Sequence, residues 1–311
     1  MRFGRTLSVR ATVVAGCAVL MLAIPLSTPA RQDFSKIEMK ITKVAGNVYM
    51  LEGVGGFAGG NIGVSAGPDG ILIVDDQFAP LADKIREALK GIGNHKLRFV
   101  LNTHWHGDHT GGNPVFGPEA TIIAQSNVRR RLENGGVVLG NKIDPVTKEA
   151  LPVITFDESL SIYLNGEEIK AMHVPSGHTD GDSVIFFTGS NVVHMGDQFF
   201  NGAFPFVDLD SGGSVDGYVR NVATVIGKLP ADVKIIPGHG PLATIDDLKK
   251  YHRMLVETTG FVMKRMHEGK TAEQIKAEGF PAEWKPYGAG FIKEATWIDT
   301  IVKGHGMVHS H

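Results

Sequence analysis

The chain has 311 residues, 42% of them hydrophobic and 21% charged, with a net charge of -2. This ordinary globular balance excludes a disordered chain, and the lack of any basic surplus excludes a nucleic-acid footprint. The length suits one large domain or two modest ones around a sizeable core, and the single cysteine, Cys17, excludes a disulfide framework.

In chain order, residues 1–30 read as a secretory signal peptide. Arg2, Arg5 and Arg10 form a positive start, Ala11 to Leu26 is nearly all apolar, and Ser27-Thr28-Pro29-Ala30 offers small residues for cleavage. The apolar run is too short to span a membrane. Val14-Ala15-Gly16-Cys17 offers a competing lipoprotein box with Cys17 as the lipid anchor, but the apolar stretch continues well past it. The expected location is therefore periplasmic or secreted. Residues 31–311 read as a single domain with a helical extension from about 270.

Short β runs follow at Ile37–Ile41, Val48–Leu51 and Asn61–Val64, then the turn Gly67-Pro68-Asp69-Gly70 and the strand Ile71–Val74. Between them, five glycines around Phe57 (Gly53, Gly55, Gly56, Gly59, Gly60) form either a flap over a site or a long hairpin. A helix is predicted over Leu81–Lys90, from apolar residues four apart. Next come a strand over Leu97–Leu101, another at Thr121–Ile123, a helix over Asn127–Glu133, and a loop over Gly135–Pro152. A second β-rich half is predicted from Val153, with strands at Leu160–Leu164, Ile169–Val174, Val184–Phe187 and Val192–Met195. A helix over Val215–Leu229, a strand over Val233–Ile236 and a helix over Ile245–His267 complete it. Two β-rich halves, each followed by helices, imply an α+β fold, an αββα sandwich. Helices are predicted near Ala272–Ala277 and Ala289–Lys303, and Gly304–His311 reads as a frayed tail containing His305, His309 and His311.

The strand Leu97–Leu101 leads into Thr103-His104-Trp105-His106-Gly107-Asp108-His109. Three imidazoles and a carboxylate in six positions are hard to explain as packing. Imidazole nitrogen and carboxylate oxygen both suit zinc, and without a body cysteine no thiolate competes. Three further segments place such groups beside glycine just beyond an apolar run: Gly177-His178-Thr179, Gly196-Asp197 and Gly238-His239-Gly240. His95, His173, His194, His252 and His267 match no such position and read as structural or surface residues.

Taken together, these four segments resemble the motif series of the metallo-β-lactamase superfamily. The resemblance implies a two-zinc site in a cleft at the sandwich edge. His104, His106 and His178 would hold one ion, Asp108, His109 and His239 the other, and Asp197 would bridge them. It also implies a metal-activated water attacking a small-molecule carbonyl substrate, with Asp108 orienting the water and carrying its proton. Manganese or iron would also fit. Asp75, Asp180 and Asp182 are expected to support ligand imidazoles. Phe57, at the tip of the glycine loop, and Phe200 are expected to contact substrate, with Asn201–Gly213 as another wall. A β-lactam amide is the leading substrate, on the export signal and the flap. Asp197 and Phe200 stand where zinc β-lactamases often carry Cys and Lys, which keeps a thioester or lactone hydrolase as the alternative. A non-catalytic metal-binding accessory protein is the reading from another class.

Overall fold

The computed structural model describes Met1 and residues 33–308. The signal-peptide segment, Cys17, His309 and His311 therefore lie outside the described residues. From Phe34 onward the chain forms one compact unit. The first sheet contains β1 (Glu38–Ala45), β2 (Val48–Val54), β3 (Ile62–Gly67), β4 (Gly70–Val74), β5 (Leu97–Leu101), β6 (Thr121–Gln125) and β9 (Ile154–Phe156), in that spatial order. Pairing is antiparallel from β1 to β4 and parallel from β4 to β9. Helix α1 (Ala82–Ile92) links β4 to β5, the short helical turns α2 (Gly107–Thr110) and α3 (Asn113–Phe116) link β5 to β6, and α4 (Ser126–Asn134) follows β6.

The second sheet runs β10 (Ser159–Leu164), β11 (Glu167–His173), β12 (Ser183–Phe187), β13 (Val192–His194), β14 (Lys234–Ile236) and β15 (Ala243–Thr244). Helix α5 (Val215–Ile226) connects β13 to its parallel neighbour β14. After β15 come α6 (Ile245–His267), α7 (Ala272–Glu278) and α8 (Glu294–Val308).

Period-two side-chain alternation accounts for the layers. Leu72 and Val74 of β4 join Ile185 and Phe187 of β12 and Ile236 of β14 in the core between the sheets. The alternate residues of β4, Ile71 and Ile73, turn outward and pack with Ile85 and Leu89 of α1. On the other side, Val184 and Ile235 meet α5 and α6 through Val222, Tyr218 and Leu255. Strands covered on both faces read as continuous apolar runs, which is why β4 stands out in the sequence. The architecture is the expected αββα sandwich.

Four expectations require correction. The segment Gly135–Pro152 is not a plain loop, because β7 (Gly136–Val138) and β8 (Asn141–Ile143) form a hairpin and Lys148–Ala150 a 3-10 turn. Its two-residue turn puts Leu139 at φ 51° and Gly140 at φ 75°. Both being positive defines a primed hairpin turn, and Leu in the first place lacks the usual Asn-Gly signal. The second half does not begin at Val153: β9 lies parallel to β6 and closes the first sheet, with α4 as the crossover. The last helix starts at Glu294 rather than Ala289, after a 3-10 turn at Lys285–Ala289. The stretch from Gly304 is helical to Val308 rather than frayed, and the His305 ring lies 6.1 Å from that of His267. Helices α7 and α8 belong to the same apolar cluster as α5 and α6, through Ile275, Trp297, Ile298 and Ile301. No helix among the described residues is long and apolar enough to cross a membrane.

Candidate metal centre

Five strand ends converge on one edge of the sandwich. Strand β4 ends at Val74 and delivers Asp75, and β5 ends at Leu101 and delivers His104, His106, Asp108 and His109. The second sheet supplies His178 after β11, Asp197 after β13 and His239 after β14. Two triads result. His104, His106 and His178 bring ring nitrogens together, with His106 Nδ1 2.8 Å from His178 Nε2. Asp108, His109 and His239 form the second, with His109 Nε2 3.3 Å from His239 Nε2.

The carboxylate of Asp197 lies between them. Its Oδ2 is 3.5 Å from His178 Nε2 and 3.9 Å from His104 Nε2, while its Oδ1 is 3.1 Å from His109 Nε2 and 3.4 Å from His239 Nε2. Glycine permits this approach. A Cβ on Gly238 would sit 2.1 Å from Asp197 Oδ1, and one on Gly60 2.2 Å from the His109 ring. Both would clash, so the backbone can pass these groups only without a side chain.

Outer partners fix which nitrogen of each ring faces inward. His178 Nδ1–H donates to the Phe206 carbonyl at 2.7 Å, leaving Nε2 free to bind. Asp75 Oδ2 takes His109 Nδ1–H at 2.7 Å, and its two oxygens also accept from the Thr103 amide and hydroxyl. Asp208 Oδ2 takes His106 Nε2–H at 2.8 Å, so His106 presents Nδ1 instead. The Asp197 backbone carbonyl accepts from the Tyr218 hydroxyl at 2.7 Å, and Tyr218 bonds Tyr251 at 2.9 Å. Tyr251 in turn accepts from the Phe200 amide.

Asp180 and Asp182 need correction as supports of ligand imidazoles. The Asp180 carboxylate makes two 2.7 Å hydrogen bonds with the Arg131 guanidinium. The Asp182 carboxylate accepts from the Thr179 amide and hydroxyl and from Gln198, so it shapes the His178 loop without touching a ligand ring. Asp208 does touch one, and sequence reasoning placed it only in the cleft wall. Nothing in Phe206-Val207-Asp208 marks it, because its partner is 102 positions away. Tyr218 and Tyr251 are equally silent, one apolar-looking residue on each of two helices.

The glycine loop is a hairpin connection with a pinned base and an outlying tip. Gly60 N–H donates to Asp108, Asn61 N–H to Gly238, and Gln77 to the Gly60 carbonyl. Phe57 at the tip is 57% exposed, with its ring stacked 6.2 Å from that of His239. Phe200 stacks on the same imidazole at 5.2 Å. His194 is buried and bonded to the Asn61 carbonyl and the Gly196 amide, a structural role.

The electrostatics of the triads differ. Burial holds the His104 imidazole well below its ordinary value and takes His178 down to about 4. At His109 and His239 burial also works against the charged form. Asp197 and Asp108 outweigh it, raising both and taking His239 to about 9. Reciprocally, burial would raise Asp108 and Asp197, but His109 and His239 pull both down, Asp108 to about 2.

A divalent metal fits this donor set. His104 Nε2 and Asp197 Oδ1 are buried polar atoms without a well-aligned hydrogen bond, and both face the space enclosed by the triads. Buried polar atoms are normally satisfied, so two orphans beside inward imidazole lone pairs match a cation site.

Fold and centre together define a metal-binding αββα sandwich. Residues 55–239 match the Metallo-beta-lactamase superfamily, and the chain belongs to that family of metallo-hydrolases. It is 22% identical over 256 residues to a Metallo-beta-lactamase type 2 of Bacteroides fragilis, covering 78% of this chain and 96% of the relative. It is 37% identical over 185 residues to an atrochrysone carboxyl ACP thioesterase of a Cryptosporiopsis species, covering 54% of this chain and 48% of that one. The chain thus spans about half the length of the thioesterase. A solved sec-alkyl sulfatase, PisA1, superimposes with a TM-score of 0.68 at 16% identity, over 86% of this chain and 50% of that one.

Proposed function

We propose that this chain is an exported binuclear zinc hydrolase that cleaves a small carbonyl substrate, with a β-lactam amide as the leading substrate. The observation that carries the reading is the position of Asp197, whose two oxygens are directed one to each triad. His104, His106 and His178 would hold one ion, Asp108, His109 and His239 the other, with Asp197 between. Bound there, zinc supplies Lewis acidity and brings the ionisation of water near neutral pH.

The remaining work belongs to the chain. Asp108 is ionised and 21% exposed, so its carboxylate reaches both the site and solvent, where it can orient water and pass its proton outward. Phe57 and Phe200, far apart in the sequence, stack on the same His239 ring and offer an apolar grip for the substrate beside the reacting centre. The exposed aromatic tip of the glycine loop and the Bacteroides relative support a β-lactam. A thioester is the second reading, supported by the fungal thioesterase and by Phe200, which offers no cation for the carboxylate of a β-lactam.

The test is hydrolysis of a chromogenic cephalosporin by the zinc-loaded protein, with and without chelator, beside a glutathione thioester and a lactone. Chelator-sensitive cephalosporin turnover with kcat/KM above about 10⁴ M⁻¹s⁻¹ supports the β-lactam reading. Faster thioester turnover moves the substrate to the second reading, and chelator-insensitive turnover sinks the metal mechanism.

A further inference from the structure

The five imidazoles of the centre are not steadied alike. His106, His109 and His178 bond Asp208, Asp75 and the Phe206 carbonyl through the nitrogen that faces away from the site. His104 Nδ1–H donates to the Thr103 hydroxyl at 3.0 Å, whose own proton goes to Asp75. A metal-binding histidine is normally oriented by such an outer partner. His239 points Nε2 at Asp108 and Asp197, and among the described residues its Nδ1 has no hydrogen-bond partner. The rings of Phe57 and Phe200, stacked on it, fix its plane. Its reach into the centre is left to the backbone.

That backbone is Pro237-Gly238-His239-Gly240-Pro241, just after β14, and two asparagines take all five of its carbonyls. Asn201 bonds those of His239, through its main-chain N–H, and Pro241, through its side chain. Asn61 bonds the other three. Its side-chain NH₂ donates to Pro237 at 3.0 Å and Gly240 at 2.8 Å, and its main-chain N–H to Gly238 at 2.7 Å. Both side-chain acceptors are carbonyls, so the position calls for two N–H donors, as an asparagine amide supplies. Asn61 is 5% exposed and stands immediately before β3, so these bonds run from the first sheet to a loop of the second. Its carbonyl accepts from His194 Nε2–H, and His194 Nδ1 accepts from the Gly196 amide beside Asp197.

We propose that Asn61 is the positioning residue of the second ion. By gripping the backbone on either side of His239 from the opposite sheet, it does for that imidazole what Asp75 does for His109 through the ring. The proposal rests on the reading of Asp108, His109 and His239 as the ligands of one zinc ion. Loss of the Asn61 side chain then weakens that ion and spares the one held by His104, His106 and His178.

The experiment titrates zinc into the full metal-free chain against a chromogenic chelator. In Asn61→Ala the second-ion affinity falls about 10- to 100-fold, as for loss of an outer partner, and the first is unchanged. On whichever of the cephalosporin, thioester and lactone the wild type hydrolyses, kcat falls at limiting zinc with KM little changed, and excess zinc restores it. Asn165→Gly is the structural control. Asn165 also joins the sheets, through Ser65 and the Gly70 carbonyl, at the end of β4 remote from the centre, and glycine tolerates its φ of 55°. That variant melts earlier with both affinities unchanged. Asn61→Ser keeps one donor, shows a smaller loss and carries the test if the alanine variant does not fold. Hydrogen exchange of the metal-free proteins reads the same point without zinc: in Asn61→Ala it quickens over residues 237–241 and holds over 103–109. Wild-type loading of both ions in the Asn61 variants, or equal weakening of the two, overturns the assignment. Selective loss of the second ion in a chain that hydrolyses none of the three substrates keeps Asn61 in its role and overturns the hydrolase reading.

Discussion

The two triads are built from nearly the same parts and behave as opposites. His104, His106 and His178 are all imidazole, and their side chains are 6% exposed or less. Burial keeps His104 and His178 neutral, so that triad is ready for a cation as it stands. In the other triad Asp108 and His239 are 21% and 22% exposed, and Asp197 together with Asp108 raises His109 and His239 towards the charged form. Two carboxylates close to one triad, Asp197 and Asp108, therefore change a preformed site into one that must expel protons to load. The lesson is that ligand identity alone does not set the order of filling; the protonation that each neighbourhood imposes does.

The sharpest way to break this contrast is His106→Ala. The first ion should be lost, metal content should fall from about two per chain to one, and turnover should drop by more than about 100-fold, the upper end for loss of even an outer partner. Elemental analysis alongside kinetics checks it, and intact activity would remove His106 from the centre.

Proton counting sharpens the contrast further. Loading requires neutral imidazole, so titrating zinc into weakly buffered metal-free protein at pH 7 should release protons, with His239, at about 9, contributing close to one. The sign follows from the raised value: His239 stays charged below about 9, so affinity at its triad falls as pH drops. At His178, at about 4, affinity holds over the same range. In the metal-free chain the same raised group contributes stability below 6.5 that is lost as pH rises through about 9. Calorimetry in buffers of different ionisation enthalpy reads the proton count, and equal loading of both ions at pH 5.5 and 8.5 would contradict the contrast.

A smaller effect is expected at Asp208→Asn. It keeps an acceptor for His106 but removes the charge, and first-ion affinity should weaken roughly 10- to 100-fold with the second little changed. Competition with a chromogenic chelator measures both. Smallest is Tyr218→Phe, which removes the hydrogen bonds to the Asp197 carbonyl and the Tyr251 hydroxyl and should cost about 1–3 kcal/mol of stability, read by denaturant unfolding.

Much of this was legible in the chain itself. The α+β sandwich showed because strands such as β4, buried on both faces, read as unbroken apolar runs. The four segments gathered here announced themselves through position, each beginning just past an apolar run and carrying a glycine beside or between its polar groups. What stayed hidden depends on long-range partners or on backbone geometry. Asp180 looked as suitable a support as Asp75, and only the fold decides that one meets Arg131 and the other His109. The β7–β8 hairpin was hidden by Leu139, which occupies a left-handed position that asparagine or glycine would have flagged.

The seam between the sheets gives the centre a mechanical side. Each triad takes two residues from the loop after β5 in the first sheet and one from the second, His178 or His239. An ion in either triad is therefore a rivet through both layers. Pulling it out frees the edge of the sandwich where the layers meet, so resistance to shear between them should rise and fall with metal concentration, as mass action requires of any ligand held only by the folded chain.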